Sequence, residues 1–168
     1  SLGEVALAAL PPQLRELDAV QLARRLKRRD KKARTGEAPA GTTVTGHEPS
    51  AEQAQALQAL TAATDPVLLY GATGSGKTEV YLRATQAVLE TATPEGEAPT
   101  QVLVMVPEIN LTPQLEARFR ERFEPAFGTG SVVSLHSGMT PAQRLGSWLA
   151  AHTGAARIVL GTRMAIFA

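Results

Sequence analysis

Between Leu68 and Leu82 the chain reads LLYGATGSGKTEVYL. An apolar run stops at Gly71, Gly74 and Gly76 follow, and a helical pattern takes over from Lys77. Residues 71–78, GATGSGKT, match the phosphate-loop pattern G-x-x-x-x-G-K-[ST] in full. The flanks match as well: a strand-like run before, a helix after. A triphosphate is a compact polyanion, and backbone N–H groups must turn inward to meet its oxygens. Gly71, Gly74 and Gly76 allow that turn, and Ala72, Thr73 and Ser75 keep the intervening side chains small. The helix starting near Lys77 aims its partially positive end at the same point. Lys77 adds a full charge for the β- and γ-phosphates, and the Thr78 hydroxyl is the expected Mg²⁺ ligand. Lys77 and Thr78 are therefore the expected catalytic contributors. The loop alone names neither the nucleotide nor the work done with it.

Working outward, the 168 residues carry 43% hydrophobic side chains, enough for one domain with a core. The formal charge of +1 argues neither for nor against an anionic partner. There is no cysteine, which excludes disulfides and cysteine-ligated metal in this chain. No apolar run approaches the roughly 20 residues that span a bilayer. The opening SLGEVALAAL is broken by Pro11 and Pro12 and does not read as a signal peptide. Aromatics make up 4%, so few bases could be stacked here.

Three zones separate. Residues 1–34 form a basic helical segment: Leu14, Leu17, Val20, Leu22 and Leu26 share a broad apolar face, and Arg24–Arg34 is dense in Lys and Arg. A charge run of this kind reads equally as a solvated helix face or as a salt-sensitive nucleic-acid contact. Residues 35–49 are rich in Gly, Pro and Thr without apolar periodicity, and read as a linker. Residues 50–168 alternate short apolar runs with amphipathic helices. Strands are expected at Pro66–Tyr70, Gln101–Val106, Ser131–His136 and Ala156–Thr162. Helices are expected from Ala51, Lys77, Pro113 and Pro141, with Ser50, Thr112 and Thr140 as N-caps. Gln53, three residues after Ser50, completes a capping box. The fold class is α/β, a parallel sheet covered on both faces. Trp148, spaced with Leu145 and Leu149, reads as core. Thr112–Gln114, His136–Ser137 and Thr162–Arg163 would lie at carboxyl ends of strands, where ligands gather in open α/β sheets.

Four segments in order, GATGSGKTEVYL, VLVMVPEINLTPQLEARFRERF, LHSGMTPAQRLGSWLAA and ARIVLGTRMAIFA, resemble the PriA-type primosomal helicases. These are bacterial superfamily 2 enzymes that restart stalled replication forks. The resemblance covers Ser50–Ala168 and is weak for Ser1–Pro49. It implies a partial RecA-like P-loop NTPase lobe, the first of the helicase core, preceded by the tail of a winged-helix DNA-binding region. By resemblance, GATGSGKT is helicase motif I, and Gln53 belongs to the upstream element whose glutamine reads the adenine edge. PEINLTPQ resembles motif Ia, which places Thr112, Pro113 and Gln114 on single-stranded DNA. His136 and Ser137 follow as further DNA-contacting candidates. GTRMAIFA resembles an element lying along the DNA backbone, giving Gly161, Thr162 and Arg163. Met164 stands where the family has serine, which removes one hydroxyl from that element.

The family's DEEH and GSAT motifs, its cysteine-rich zinc-binding region and its arginine-finger lobe do not occur in this sequence. The chain begins without methionine and stops soon after the fourth expected strand, so the expectation is a fragment ending before DEEH and inactive alone. The implied parent is an ATP- and Mg²⁺-dependent 3′-to-5′ DNA helicase, with zinc only in its missing part. Its implied partners are forked and single-stranded DNA, primosome proteins and single-strand-binding protein, with no membrane. Its implied location is the bacterial cytoplasm, associated with the nucleoid. An alternative from another class is a helicase-like platform that recognises forks and recruits proteins without unwinding.

Overall fold

Pro11 and Asp18 punctuate the N-terminal segment. In the computed structural model, which describes residues 10–34, 48–91, 98–107 and 111–167, Pro12 opens a short helix α1 (Pro12–Glu16). Leu17 turns extended with ψ of 128°, and the Asp18 carboxylate accepts from the Gln21 N–H at 2.7 Å. A new helix, α2 (Ala19–Arg34), starts there. The single helical pattern expected across this segment is thus two helices, divided where an aspartate offers the backbone a cap. The expected linker falls almost wholly on residues 35–47, which lie outside the described residues.

Each later helix starts at its expected cap. In α3 (Ala51–Ala62) the Ser50 hydroxyl accepts from the Gln53 N–H at 3.2 Å, and the Gln53 side-chain oxygen accepts from the Ser50 N–H at 2.9 Å. Helix α4 spans Lys77–Glu90. Helix α5 (Pro113–Phe127) has Thr112 as its cap, and α6 (Pro141–His152) repeats the capping box with Thr140 and Gln143. Proline occupies the first turn of both α5 and α6, where its missing N–H costs nothing. Helix α5 continues past Phe123 to Phe127, whose ring packs on the core.

Three strands form one parallel sheet in the order β1-β3-β2: β1 is Val102–Met105, β2 Val132–Leu135 and β3 Ile158–Gly161. In register, Val102 and Val132 flank Ile158 from either side, and Met105 and Leu135 flank Gly161. The alternation of strand side chains sorts the core into two layers. Val132, Ile158 and Leu160 pack with Leu82 and Leu89 of α4 and Phe119 and Phe123 of α5. On the opposite face Leu135 and Val159 pack with Ala151 of α6 and with Ala165. The central strand β3 is buried throughout, as expected of a parallel strand covered on both faces. The α/β partial lobe read from the sequence is the fold observed.

One expected strand is corrected. Pro66–Tyr70 joins no ladder, and the sheet has three strands among the described residues. Leu68 is 89% exposed and Tyr70 94% exposed. A strand preference is a preference for a pleated, half-buried surface, and none of the three strands pairs with this run. One face of β1 is thinly covered, with Leu103 and Met105 each 44% exposed. Trp148 is half-buried and stacks on His152, ring centroids 4.7 Å apart, where full burial was expected.

Candidate nucleotide-binding site

The loop at 71–78 has the shape its glycines imply. Gly74 and Gly76 take φ of 84° and 82°, the left-handed region that other residues enter at a cost. Ser75 donates its N–H to the Ala72 carbonyl at 3.2 Å, closing the turn. Gly76 caps α4, so the next residue, Lys77, stands at the first helical position. Its ammonium folds back over the loop and donates to the Gly71 carbonyl at 2.5 Å and the Ala72 carbonyl at 2.6 Å. Both acceptors are neutral, so the charge over the cradle keeps no anionic partner in these bonds. A Cβ on Gly71 would lie 2.7 Å from the Ser75 hydroxyl oxygen, so the loop closes tightly on itself there.

The residues present suit a Mg²⁺-bound triphosphate. The loop offers unobstructed backbone, a helix N-terminus, an ammonium held at its mouth and the Thr78 hydroxyl beside it. The nearest acid, Glu79, is bound by two cations: its carboxylate accepts from Arg83 at 2.8 Å and meets Arg122 of α5 at 3.5 Å. That pairing offsets the one negative charge in the first turn of α4. Among the described residues no group of three or more acidic or histidine side chains is placed to hold a metal.

Gln53 reaches this loop from 23 residues away. Besides closing its capping box, it donates its side-chain N–H to the Gly76 carbonyl at 3.3 Å. The amide oxygen and nitrogen of Gln53 thus each make one contact with the protein.

The expected DNA-facing residues divide. Thr112 caps α5, its hydroxyl accepting from the Leu115 N–H at 3.3 Å, and Pro113 and Gln114 are exposed beside it. Ser137 is exposed after β2. His136 lines a cleft of about 410 Å³ along the free edge of β2, shared with Arg120, Ser134 and Gln143. Arg163 is exposed at the end of β3. Gly161 and Thr162 differ from the others in their burial. Both are buried, Thr162 completely, because the 3₁₀ turn Arg163–Phe167 folds back over them. The Ala165 N–H donates to the Thr162 carbonyl at 2.8 Å, and a Cβ on Gly161 would meet the Ala165 Cβ at 2.0 Å.

Sequence reasoning missed the residues that shape these loops through side-chain bonds to backbone carbonyls. Arg144 of α6 donates to the Ser137 and Met139 carbonyls at 3.2 and 3.4 Å, tying down the loop after β2. Gln101 donates to the Ala151 and Ala156 carbonyls at 2.8 and 2.7 Å, holding β1 to the entrance of β3. Arg157 donates to the Thr100 carbonyl at 2.8 Å and lies over the Phe127 ring at 5.3 Å, and burial pushes its pKa below the usual guanidinium value. No periodicity or motif marks these side chains: their partners are backbone carbonyls, 50 to 57 residues away for Gln101 and Arg157 and five to seven for Arg144.

The comparisons agree with the geometry. Residues 50–168 match the DEAD/DEAH box helicase family. The replication restart protein PriA of Haemophilus influenzae is 46% identical over 100 residues, 60% of this chain and 12% of that protein. The Bacillus subtilis protein of that name is 43% identical over 102 residues, 60% of this chain and 11% of its own length. The Treponema pallidum protein of that name is 43% identical over 121 residues, 71% of this chain and 17% of that protein. The matched region is therefore a small part of each relative. The family match at 50–168 holds the phosphate loop and the three strands. With the loop formed, the parallel sheet in place and the match running from Ser50 to the last residue, the chain belongs to the DEAD/DEAH box helicase family.

Proposed function

We propose that this chain is the ATP-binding part of the first lobe of a DNA-dependent ATPase and 3′-to-5′ DNA helicase acting at stalled replication forks. The observation that supports it most is the formed cradle at 71–78, with the Lys77 ammonium poised on the Gly71 and Ala72 carbonyls. An incoming phosphate oxygen replaces those neutral acceptors with a charged one, at a helix N-terminus that favours it. ATP with Mg²⁺ is the nucleotide general to the family, and Thr78 is the metal-facing hydroxyl. The lobe would offer single-stranded or forked DNA the surface that carries Pro113, Gln114, Ser137 and Arg163. The basic helix α2 would add a sequence-independent contact. Primosome and single-strand-binding proteins are the partners this reading implies, with the nucleoid as the place of work. No helix among the described residues is long and apolar enough to cross a membrane.

Lys77 and Thr78 position charge but supply no base to orient the attacking water, so the chain alone binds ATP and turns it over negligibly. Isothermal titration with ATP and Mg²⁺ tests the proposal. Lys77→Ala removes a charge-assisted contact and is expected to weaken binding about 10- to 100-fold, with folding unchanged by circular dichroism. Equal affinity in the variant and the parent would refute the cradle as the binding site.

A further inference from the structure

Glu79 puts a carboxylate in the first turn of α4, two residues after Lys77, and its own N–H donates to the Gly76 carbonyl at 3.0 Å. A triphosphate in the cradle would therefore bring its charge toward a like charge. Two cations meet that carboxylate. Arg83, one turn along α4, donates to it at 2.8 Å, and Arg122 reaches it at 3.5 Å from α5. Arg122 is held in place by its surroundings. Phe119 and Phe123 of the same helix pack with Leu82 of α4 in the core, and the Arg122 guanidinium donates to the Gln86 side-chain oxygen at 3.3 Å. The Arg122 side chain is 11% exposed, and its Nε is buried with no hydrogen-bond partner among the described residues. Taking a guanidinium out of water costs free energy, and an apolar side chain of similar length would fill the same space without that cost. The position thus carries a charge that packing does not require.

We propose that Arg122 is a positioning residue of the nucleotide site: from α5 it holds and neutralises the Glu79 carboxylate, so that the first turn of α4 accepts a triphosphate without repulsion. This rests on the reading of residues 71–78 as a triphosphate cradle. Arg122 acts through Glu79, so its effect on affinity exists only while Glu79 is charged. A purely structural clamp between α4 and α5 predicts something else. Loss of either partner would then lower stability and affinity together, and removing the second partner would restore neither.

Titration calorimetry of the chain with ATP and Mg²⁺, beside urea unfolding, separates the two. Arg122→Met keeps an unbranched side chain in the same space and leaves Glu79 with Arg83 alone. It is expected to weaken ATP binding about three- to tenfold. Glu79→Gln removes the charge and keeps the shape of the side chain. It is expected to bind ATP as tightly as the parent, or up to about threefold more tightly. In the double variant, Arg122→Met with Glu79→Gln, affinity is expected to return to within about twofold of Glu79→Gln alone. Weaker ATP binding in Glu79→Gln would overturn the proposal, and that result does not depend on how well Arg122→Met folds. Unchanged affinity in Arg122→Met, or a double variant as weak as Arg122→Met, would overturn it as well. Failure of the parent chain to bind ATP would remove the cradle reading and the proposal together, a result distinct from any failure confined to the variants.

Discussion

Thr162 offers a sharp test because its surroundings contradict its motif. The side chain is fully buried and its hydroxyl has no hydrogen-bond partner among the described residues. A buried hydroxyl left unpaired costs about 1–3 kcal/mol of desolvation. Thr162→Val exchanges that hydroxyl for a methyl group of similar size and keeps the β-branched shape that suits the end of a strand. The backbone contacts survive, since the Thr162 N–H donates to the Leu135 carbonyl at 3.1 Å and its carbonyl accepts from Ala165. Part of the gain is lost to tighter packing against Ala165 and Leu135, so the net expectation is a stabilisation of about 1 kcal/mol. For a chain of this size that raises the melting temperature by about 2–4 °C. Urea unfolding followed by circular dichroism would show a higher midpoint with an unchanged slope. Fluorescence anisotropy with labelled single-stranded DNA would show the same affinity as the parent. In contrast, Arg163→Ala, one residue on and exposed, would bind more weakly. Loss of stability in Thr162→Val would show that the hydroxyl has a partner. Weaker DNA binding at undiminished stability would show that it reaches the phosphate backbone, and either result refutes the packing argument.

Two further predictions concern what holds the lobe together. Phe123 is 0% exposed, with ring centroids 5.9 Å from Phe119 and 6.4 Å from Phe127, so Phe123→Ala should cost about 3–5 kcal/mol in denaturant unfolding. A loss below 1 kcal/mol would mean the α5 face is not the core. Thr140→Ala removes the cap of α6, whose hydroxyl accepts from the Gln143 N–H at 3.3 Å, and should lower stability by about 1 kcal/mol. Hydrogen exchange would report faster exchange at the first turn of α6, and unchanged protection there would contradict the cap.

Local rules made much of the lobe legible. Ser50, Thr112 and Thr140 each cap the helix they precede, and the prolines at 113 and 141 sit in first turns, because capping is settled within four residues of sequence. The phosphate loop is equally local, its turn dictated by glycines and its charge by Lys77. Pro66–Tyr70 was misread for the opposite reason: its apolar run states a preference, while pairing is decided by a neighbouring strand. Asp18 shows a middle case, where the apolar spacing of Leu14 to Leu26 suggested continuity and a single side-chain cap divided it. Gln101 escapes such rules because it serves carbonyl groups 50 and 55 residues away that only the folded chain brings near, and Arg144 because its carbonyl partners, five and seven residues away, belong to no capping or turn pattern.

Glycine shows why a motif and its site need not coincide residue by residue. At Gly76 the left-handed backbone demands glycine, and the Gln53 amide lies 2.4 Å from where a Cβ would be. At Gly161 the demand comes from inside: the turn carrying Ala165 closes over the end of β3, and the Leu135 carbonyl lies 3.0 Å from where a Cβ would be. Both glycines sit in helicase-like motifs, and at each the space a Cβ would fill is taken by the protein itself, by a side-chain amide at Gly76 and by the next turn of the chain at Gly161. The step from buried Thr162 to exposed Arg163 follows from that closure, since the turn that hides one presents the next. In this lobe the phosphate loop is therefore a site made by residues adjacent in sequence, while the candidate DNA surface is what remains outside after the strand ends have been packed.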